Sequence, residues 1–291
     1  MKVSGFTFIR NALLFDYPIV EAIGSILPLC DEVVVAVGKS EDATLDLIKG
    51  IASSKIKIIE TEWDDTLRSG GRVLAAETDK AFRAVAADAD WAFYIQGDEV
   101  FHETDAEKLR AAMLRYQNDP TTDGLLFDYL HFYGSYDYYG TNSRWYPHEV
   151  RVVRRRSDIF SFQDAQGFRK GDNEKLNVRK TDARIFHYGW VKSPEIQQKK
   201  RENFNKYWHS DAWMQKNIIE KADFSYADGM QSLARFKGQH PEVMRERIRR
   251  QNIHFDADIS MDNVPLKERL KAGLKKYAGL DFSYRNYRLL G

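Results

Sequence analysis

The sequence predicts an α/β protein: a doubly wound, mostly parallel sheet flanked by helices, with added β-hairpins and a helical C-terminal extension. Three observations carry that expectation. Over the first hundred residues, β-type runs and helical stretches alternate four times. One run, "EVVVAV" (32–37), is continuously apolar, as in a parallel strand buried on both faces. After residue 120 the rhythm changes to β-rich segments, and from Ser193 onward to helical ones.

The elements follow in order. "GFTFIR" (5–10) reads as the first strand, and "PIVEAIGSILPL" (18–29) as a helix with Pro18 at a favoured first position. After the second strand, 32–37, Ser40 is placed to cap a helix running to about Ser53. "KIKIIE" (55–60) is the third strand and Gly71 to Ala87 the next helix. "WAFYIQ" (91–96) is the fourth strand. Thr104, with Glu107 three residues on, has the spacing of a capping box for a helix ending near Asn118. The stretch from Gly124 to Arg156 is rich in β-formers with turns expected at Gly134 and Gly140, which suggests hairpins. "SPEIQQKKRENFNKYWH" (193–209), "PEVMRERIRRQN" (241–252) and "PLKERLKAGLKKY" (265–277) are helical stretches with Pro near the start. The expected organisation is one catalytic-type domain, residues 1–191, with a helical basic extension, 192–291, packed on it.

Length and composition bound the function. The chain has 291 residues, 43% hydrophobic and 30% charged, the balance of an ordinary globular protein with a sizeable core. A single cysteine, Cys30, allows neither an intrachain disulfide nor a cysteine-based zinc site, and fits a reducing compartment. The N-terminus lacks the pattern of a signal peptide, and no run nears the roughly 20 apolar residues of a membrane span. A cytoplasmic location is expected. Residues 192–291 carry 20 Lys and Arg against 13 Asp and Glu, a net +7, which leaves −6 for residues 1–191. That asymmetry suggests peripheral contact of the basic region with the inner membrane face or with an anionic acceptor; solvated helix faces would explain it equally well.

Several enzyme classes drop out. "GKSEDAT" after the second strand lacks the glycine spacing of a phosphate loop, and neither a serine-hydrolase elbow nor a paired-histidine zinc helix is present. Polar residues do stand at successive strand ends: Arg10 and Asn11 after the first, Ser40, Asp42 and Thr44 after the second, Asp98 and Glu99 after the fourth. In doubly wound sheets ligands gather at the carboxyl ends of the strands. Carboxylates there suit Mg²⁺ or Mn²⁺ together with a diphosphate, although an acid pair after a strand is more often a solvated turn or a helix cap.

These motifs, in this order, resemble a family 2 glycosyltransferase of the GT-A fold, in particular the branch that contains bacterial lipopolysaccharide-core β-glycosyltransferases. The resemblance rests on "RN" (10–11), "DEVVVAVGKSEDAT" (31–44), "WAFYIQGDE" (91–99), "WYPHEVRVVRR" (145–155) and "HYGWVKSPEIQQKKRENFNKY" (187–207). It implies an inverting, hexosyltransferase-like enzyme. The donor would be a nucleotide-diphospho-sugar held by Arg10, Asn11, Ser40, Asp42, Gln96, Gly97 and Asp98. A divalent cation, Mn²⁺ or Mg²⁺, would sit on Asp98 and His187. The acceptor would be a saccharide or glycolipid of a bacterial surface glycan, contacted by Trp145 and Tyr146 from the aromatic-rich stretch 127–146. A transfer that inverts the anomeric centre needs a base for the acceptor hydroxyl; Asp164 in "FQDAQG" is the candidate, with Glu149, Asp172 and Glu174 as alternatives. Two positions depart from the family pattern. Val37 replaces the acid that usually contacts the nucleotide base, and Gln96 replaces the first acid of the metal motif. A second reading therefore stands beside the first: a non-catalytic carbohydrate-binding or scaffold protein with a decayed donor site. Nucleic acid is not an expected partner, because the aromatic stretch carries few Lys or Arg.

Overall fold

The structure is a computed structural model and describes residues 1–67, 70–142, 144–219, 224–229, 232–251, 253, 255–257, 259 and 285–291. The expected α/β class is borne out. The chain runs β1 (Val3–Ile9), α1 (Ile19–Ile26), β2 (Glu32–Gly38), α2 (Thr44–Lys49), β3 (Ile56–Thr61), α3 (Arg72–Ala84), β4 (Trp91–Tyr94), β5 (Glu99–Phe101), α4 (Ala106–Tyr116), β6 (Gly124–Tyr133), β7 (Tyr138–Gly140) and β8 (His148–Arg154). It continues through β9 (Ile159–Phe162), β10 (Gly167–Lys170), β11 (Glu174–Lys175), β12 (Asn177–Trp190), α5 (Pro194–Asn205), α6 (Asp211–Met214), β13 (Leu233–Arg235), α7 (Arg245–Arg250) and β14 (Arg288–Leu289).

β3, β2, β1 and β4 form a parallel block in that spatial order, and β8 and then β6 add on antiparallel beyond β4. The 14-residue β12 lies parallel to β6 and antiparallel to β5. Alternation of side chains explains the two-sided winding. Val33, Val35 and Val37 of β2, with Trp91 and Phe93 of β4, face the α1 and α4 side, where Ile23, Ile26, Leu109 and Met113 meet them. Val34 and Ala36, with Ala92 and Tyr94, face α3 through Val73, Ala81 and Phe82. Phe6 of β1 packs at ring-centroid distances of 5.2 Å on Phe82 and 5.1 Å on Tyr94, which ties helix to sheet. A separate three-stranded sheet, β11-β10-β9, sits beside the main one.

Local chemistry shifts several expected boundaries. Ser40 does not cap α2; its hydroxyl donates to the Gly38 carbonyl at 2.8 Å, and Asp42 instead accepts from Thr44 N at 3.0 Å, so the helix is only Thr44–Lys49. The Thr104–Glu107 capping box does not form. The His102 ring accepts from Thr104 N at 3.3 Å, and a 3₁₀ turn over 103–105 precedes α4. Gly134 is a turn glycine with φ +74°, whereas Gly140 belongs to β7, where the Trp145 indole would lie 1.9 Å from a Cβ and leaves no room for a side chain. The helical stretch expected at 265–277 lies outside the described residues. In the expected helix 241–252, a 3₁₀ turn over 242–244 leads into α7.

Candidate functional site

The chain moves outward from β1 to β2 to β3 and then returns to β4 on the other side of β1. At such a reversal the connections leave β1 and β4 in opposite directions, and a crevice opens outside their carboxyl ends. The cleft lies there, with a volume of about 210 Å³. Ile9 and Arg10 from the end of β1, and Gln96, Gly97 and Asp98 from the end of β4, line it. His187 of β12 and Lys200, Asn203 and Phe204 of α5 add further sides, and Tyr17, Trp63, Tyr146, Asp164 and Tyr207 are also in the lining.

Asp98 and Glu99 are adjacent in sequence and opposite in role. Glu99 is fully buried and accepts from Arg151 Nε at 2.8 Å and Nη2 at 2.7 Å, and from the Tyr129 hydroxyl at 2.9 Å. It also accepts from Gln96 N at 3.1 Å, which fixes the turn that carries Asp98. Glu99 is thus the anchor, and Asp98 faces the cleft. Burial alone would raise the pKa of Asp98, but the Lys200 ammonium outweighs it and holds this carboxyl well below the usual range. Lys200 Nζ donates to Asp98 Oδ2 at 2.9 Å and to the Gly189 carbonyl at 3.1 Å. Residue 189 must be glycine for this approach: a Cβ would stand 2.7 Å from both Asp98 Oδ2 and His187 Nε2.

A chain of hydrogen bonds sets the protonation of the histidines. His131 Nε2 lies 2.8 Å from the Tyr146 carbonyl, which can only accept, so the proton is on His131 Nε2 and its Nδ1 is an acceptor. His187 Nδ1, 3.2 Å from His131 Nδ1, then carries its own proton toward that acceptor. His187 Nε2 is left as a bare lone pair, 3.8 Å from Asp98 Oδ2. Burial keeps both rings neutral, pulling His187 down to about 4 and His131 to about 3. Lys192, 4.7 Å from the centroid of the Tyr17 ring, is wholly buried and donates to the Asp16 carbonyl at 2.6 Å, and burial depresses its pKa well below the lysine range.

The β9–β10 hairpin turn presents Asp164. Gln163 and Ala165 both adopt positive φ, 55° and 63°, a strained arrangement that concentrates at functional sites. Gln96 Nε2 donates to the Ala165 carbonyl at 3.0 Å and Arg151 Nη1 to the Gln166 carbonyl at 2.8 Å, which hold the turn in place. Burial raises the pKa of Asp164 above the usual carboxylate range. Glu149, also buried, is pushed up to about 7, but its Oε1 accepts from Val150 N and it is not among the residues lining the cleft.

Of the residues singled out from sequence, Arg10, Gln96, Gly97, Asp98, Tyr146, Asp164 and His187 line the cleft. Asn11, Ser40 and Asp42 do not. They lock the β1 and β2 loops together, with Asn11 N donating to Ser40 Oγ at 3.0 Å, Glu41 N to Asn11 Oδ1 at 2.8 Å and Leu14 N to Asp42 Oδ2 at 2.7 Å. Trp145 is also away from the cleft, stacked on His131 at 5.3 Å. Sequence reasoning passed over Lys200, Tyr17, Asn203, Phe204, Tyr207 and Trp63. A signal existed for part of this set: Gln197, Lys200 and Phe204 recur at helical spacing and share one face of α5.

Asp98 and His187 come together as the resemblance implies, yet what stands on the carboxylate is the Lys200 ammonium. Among the described residues, no group of three or more His, Cys, Asp or Glu side chains is arranged to hold a metal. With Gln96 uncharged and His187 neutral, Asp98 is the one charged ligand of the implied set, and the Lys200 ammonium 2.9 Å away offsets its charge, which does not suit a divalent ion.

No protein-family model matches the chain, and no curated protein matches it in sequence. Among solved structures it is similar to S. aureus TarS 1-349 in complex with UDP, at 16% identity over 92% of this chain and 77% of that one, with a TM-score of 0.43. A second structure of S. aureus TarS 1-349 matches at 15% identity over the same shares, with a TM-score of 0.41. Glucosyl-3-phosphoglycerate synthase from Mycobacterium tuberculosis, in complex with Mn²⁺, UDP-glucose and phosphoglyceric acid, matches at 15% identity over 45% of this chain and 44% of that one, with a TM-score of 0.31. At TM-scores below 0.5, these matches place no ligand on this chain.

Proposed function

We propose that the protein is an inverting glycosyltransferase of the GT-A type. It would move a hexosyl unit from a nucleotide-diphospho-sugar to a saccharide acceptor of a bacterial surface glycan. The observation that supports this reading best is the convergence of Asp98, His187, Lys200, Arg10 and Asp164, distant in sequence, on one cleft at the switch point between β1 and β4. In the proposed reaction Asp164 takes the proton of the acceptor hydroxyl. The freed oxygen bonds to the anomeric carbon while the bond from that carbon to the diphosphate breaks, and its electron pair leaves with the nucleotide. A base with a pKa above the ordinary carboxylate range suits this task at neutral pH. Arg10 contributes a guanidinium to the leaving group; its Nε is buried without a partner among the described residues. Tyr146, Phe204 and Trp63 offer faces for sugar rings. The catalytic domain would extend past residue 191 to include α5, which supplies Lys200, Asn203 and Phe204 to the cleft. Peripheral contact with the inner face of the cytoplasmic membrane would fall to Arg245, Arg249 and Arg250, because Arg247 turns inward to Asp16 and to Glu21, 3.5 Å away.

The test is a thermal-shift and product assay on the purified chain. UDP or GDP at about 100 times its Kd should stabilise it by about 2.7 kcal/mol. A nucleotide sugar with an oligosaccharide acceptor should release nucleotide, and Asp164→Asn should lower that rate by about 10² to 10⁴ without altering nucleotide binding. Oligosaccharide binding with no nucleotide response would leave the carbohydrate-binding reading in its place.

A further inference from the structure

We propose that the cation facing the diphosphate in this cleft is the Lys200 ammonium, and that it takes the place of a divalent metal ion. The inference rests on the donor site proposed above and concerns only how its charge is neutralised. Three observations carry it. First, Lys200 Nζ is fixed by two acceptors, Asp98 Oδ2 at 2.9 Å and the Gly189 carbonyl at 3.1 Å, and the side chain lines the cleft. An ammonium held in this way can meet an incoming phosphate oxygen without reorganising. Second, a metal bound to the same carboxylate oxygen, at about 2.1 Å, would stand within roughly 5 Å of that ammonium, in a partly enclosed site where like charges repel strongly. Third, the side chain at position 96 adds no compensating negative charge: Gln96 is neutral and spends its amide on the Ala165 carbonyl at 3.0 Å.

The surroundings agree. The Lys200 ammonium also lies 4.9 Å from the centroid of the Tyr17 ring, a cation–π contact that favours its charged form. Lys192, also buried, donates to the Asp16 carbonyl and is not among the residues lining the cleft. Lys200 and Arg10 are thus the cations that line the cleft. Asp98 is then a positioning residue that aims the ammonium, and His187 Nε2 a hydrogen-bond acceptor beside it.

The proposal predicts how nucleotide binding responds to metal and to residue 200. Calorimetric titration of the wild-type chain with UDP and with GDP should give the same Kd, within about threefold, in EDTA and in Mn²⁺. Lys200→Met should weaken binding in EDTA by about tenfold or more, and Lys200→Arg should keep most of it. Lys200→Met leaves Asp98 without its counter-charge, so Mn²⁺ should recover part of the lost affinity in that variant and none in the wild type. Should Lys200→Met fail to fold, the double variant Lys200→Met/Asp98→Asn, which removes both charges together, should show the same weakening with no recovery by Mn²⁺. The proposal is overturned if Mn²⁺ tightens wild-type binding tenfold, or if either Met variant binds as well as wild type in EDTA. Failure of both nucleotides to bind under any condition would instead remove the donor site itself.

Discussion

Replacing Arg151 by Met should cost the protein a large part of its stability. The Arg151 and Glu99 side chains are both fully buried, and the guanidinium bridges both carboxylate oxygens at 2.8 and 2.7 Å. It also lies 5.2 Å from the Tyr94 ring and 5.3 Å from the Tyr129 ring, and donates to the carbonyls of Val150 and Gln166. Methionine fills a similar volume but leaves the Glu99 carboxylate with only the Tyr129 hydroxyl and Gln96 N for partners. Breaking a buried pair from one side costs about 3 to 5 kcal/mol, a sizeable share of the roughly 5 to 15 kcal/mol that a folded domain has in total. In urea denaturation followed by far-UV circular dichroism, the midpoint should fall accordingly with the slope unchanged. Removing both charges, Arg151→Met with Glu99→Gln, should recover most of the loss, because the uncompensated charge and not the missing contact dominates. A single variant within about 1 kcal/mol of wild type, the range of an exposed ion pair, would refute this account of Glu99.

Three other outcomes are expected. Gly189→Ala should leave secondary structure intact and lower transfer by about tenfold or more, since overpacking by one methyl costs about 1 to 3 kcal/mol and falls here on Asp98 and His187; a fully active variant would contradict the geometry. In ¹⁵N NMR, His131 should carry its proton on Nε2 and His187 on Nδ1, and neither ring should gain a second proton until the pH approaches about 3 and 4 respectively. Their folded values lie below the ordinary 6.5, so the unfolded chain takes up protons first: the stability they contribute is whole above about 6.5 and is lost as pH falls toward those values. Glu149 acts in the other direction. Its value is pushed up from 4.5 to about 7, so stability from this group is whole below 4.5 and is lost as pH rises through 7; Glu149→Gln should abolish that slope in pH-dependent denaturation.

Much of the parallel block was legible because burial on both faces leaves an unmistakable mark, as in the apolar run of β2, and because Pro18 and Gly71 punctuate the helices that follow. The carboxyl ends of β1 and β4 could be named for the same reason. What sequence could not supply was orientation. Asp98 and Glu99 are neighbours of equal charge, and only Arg151, 52 residues after Glu99, makes one of them an anchor. Asn11, Ser40 and Asp42 have the residue types of a binding loop, yet the backbone N–H groups of Leu14, Glu41 and Thr44 claim the side chains of Asp42 and Asn11, and Asn11 N claims that of Ser40. Lys200 sits in the run "KKR" (199–201), where composition gives no reason to prefer one cation over its neighbours. The helical face it shares with Gln197 and Phe204 was the available clue, and only packing could confirm it.

The partnership of Asp98 and Lys200 also bears on how the protein is made. During synthesis the strands that carry Asp98 leave the ribosome 102 residues ahead of the side chain that neutralises it. Until α5 emerges, the half-built sheet holds an acid at its rim with no counter-ion and a cleft open along one flank. Nascent chains halted near residue 191 should therefore be digested readily by protease, and resistance should arrive in one step once residues up to about Tyr207 are free of the exit tunnel.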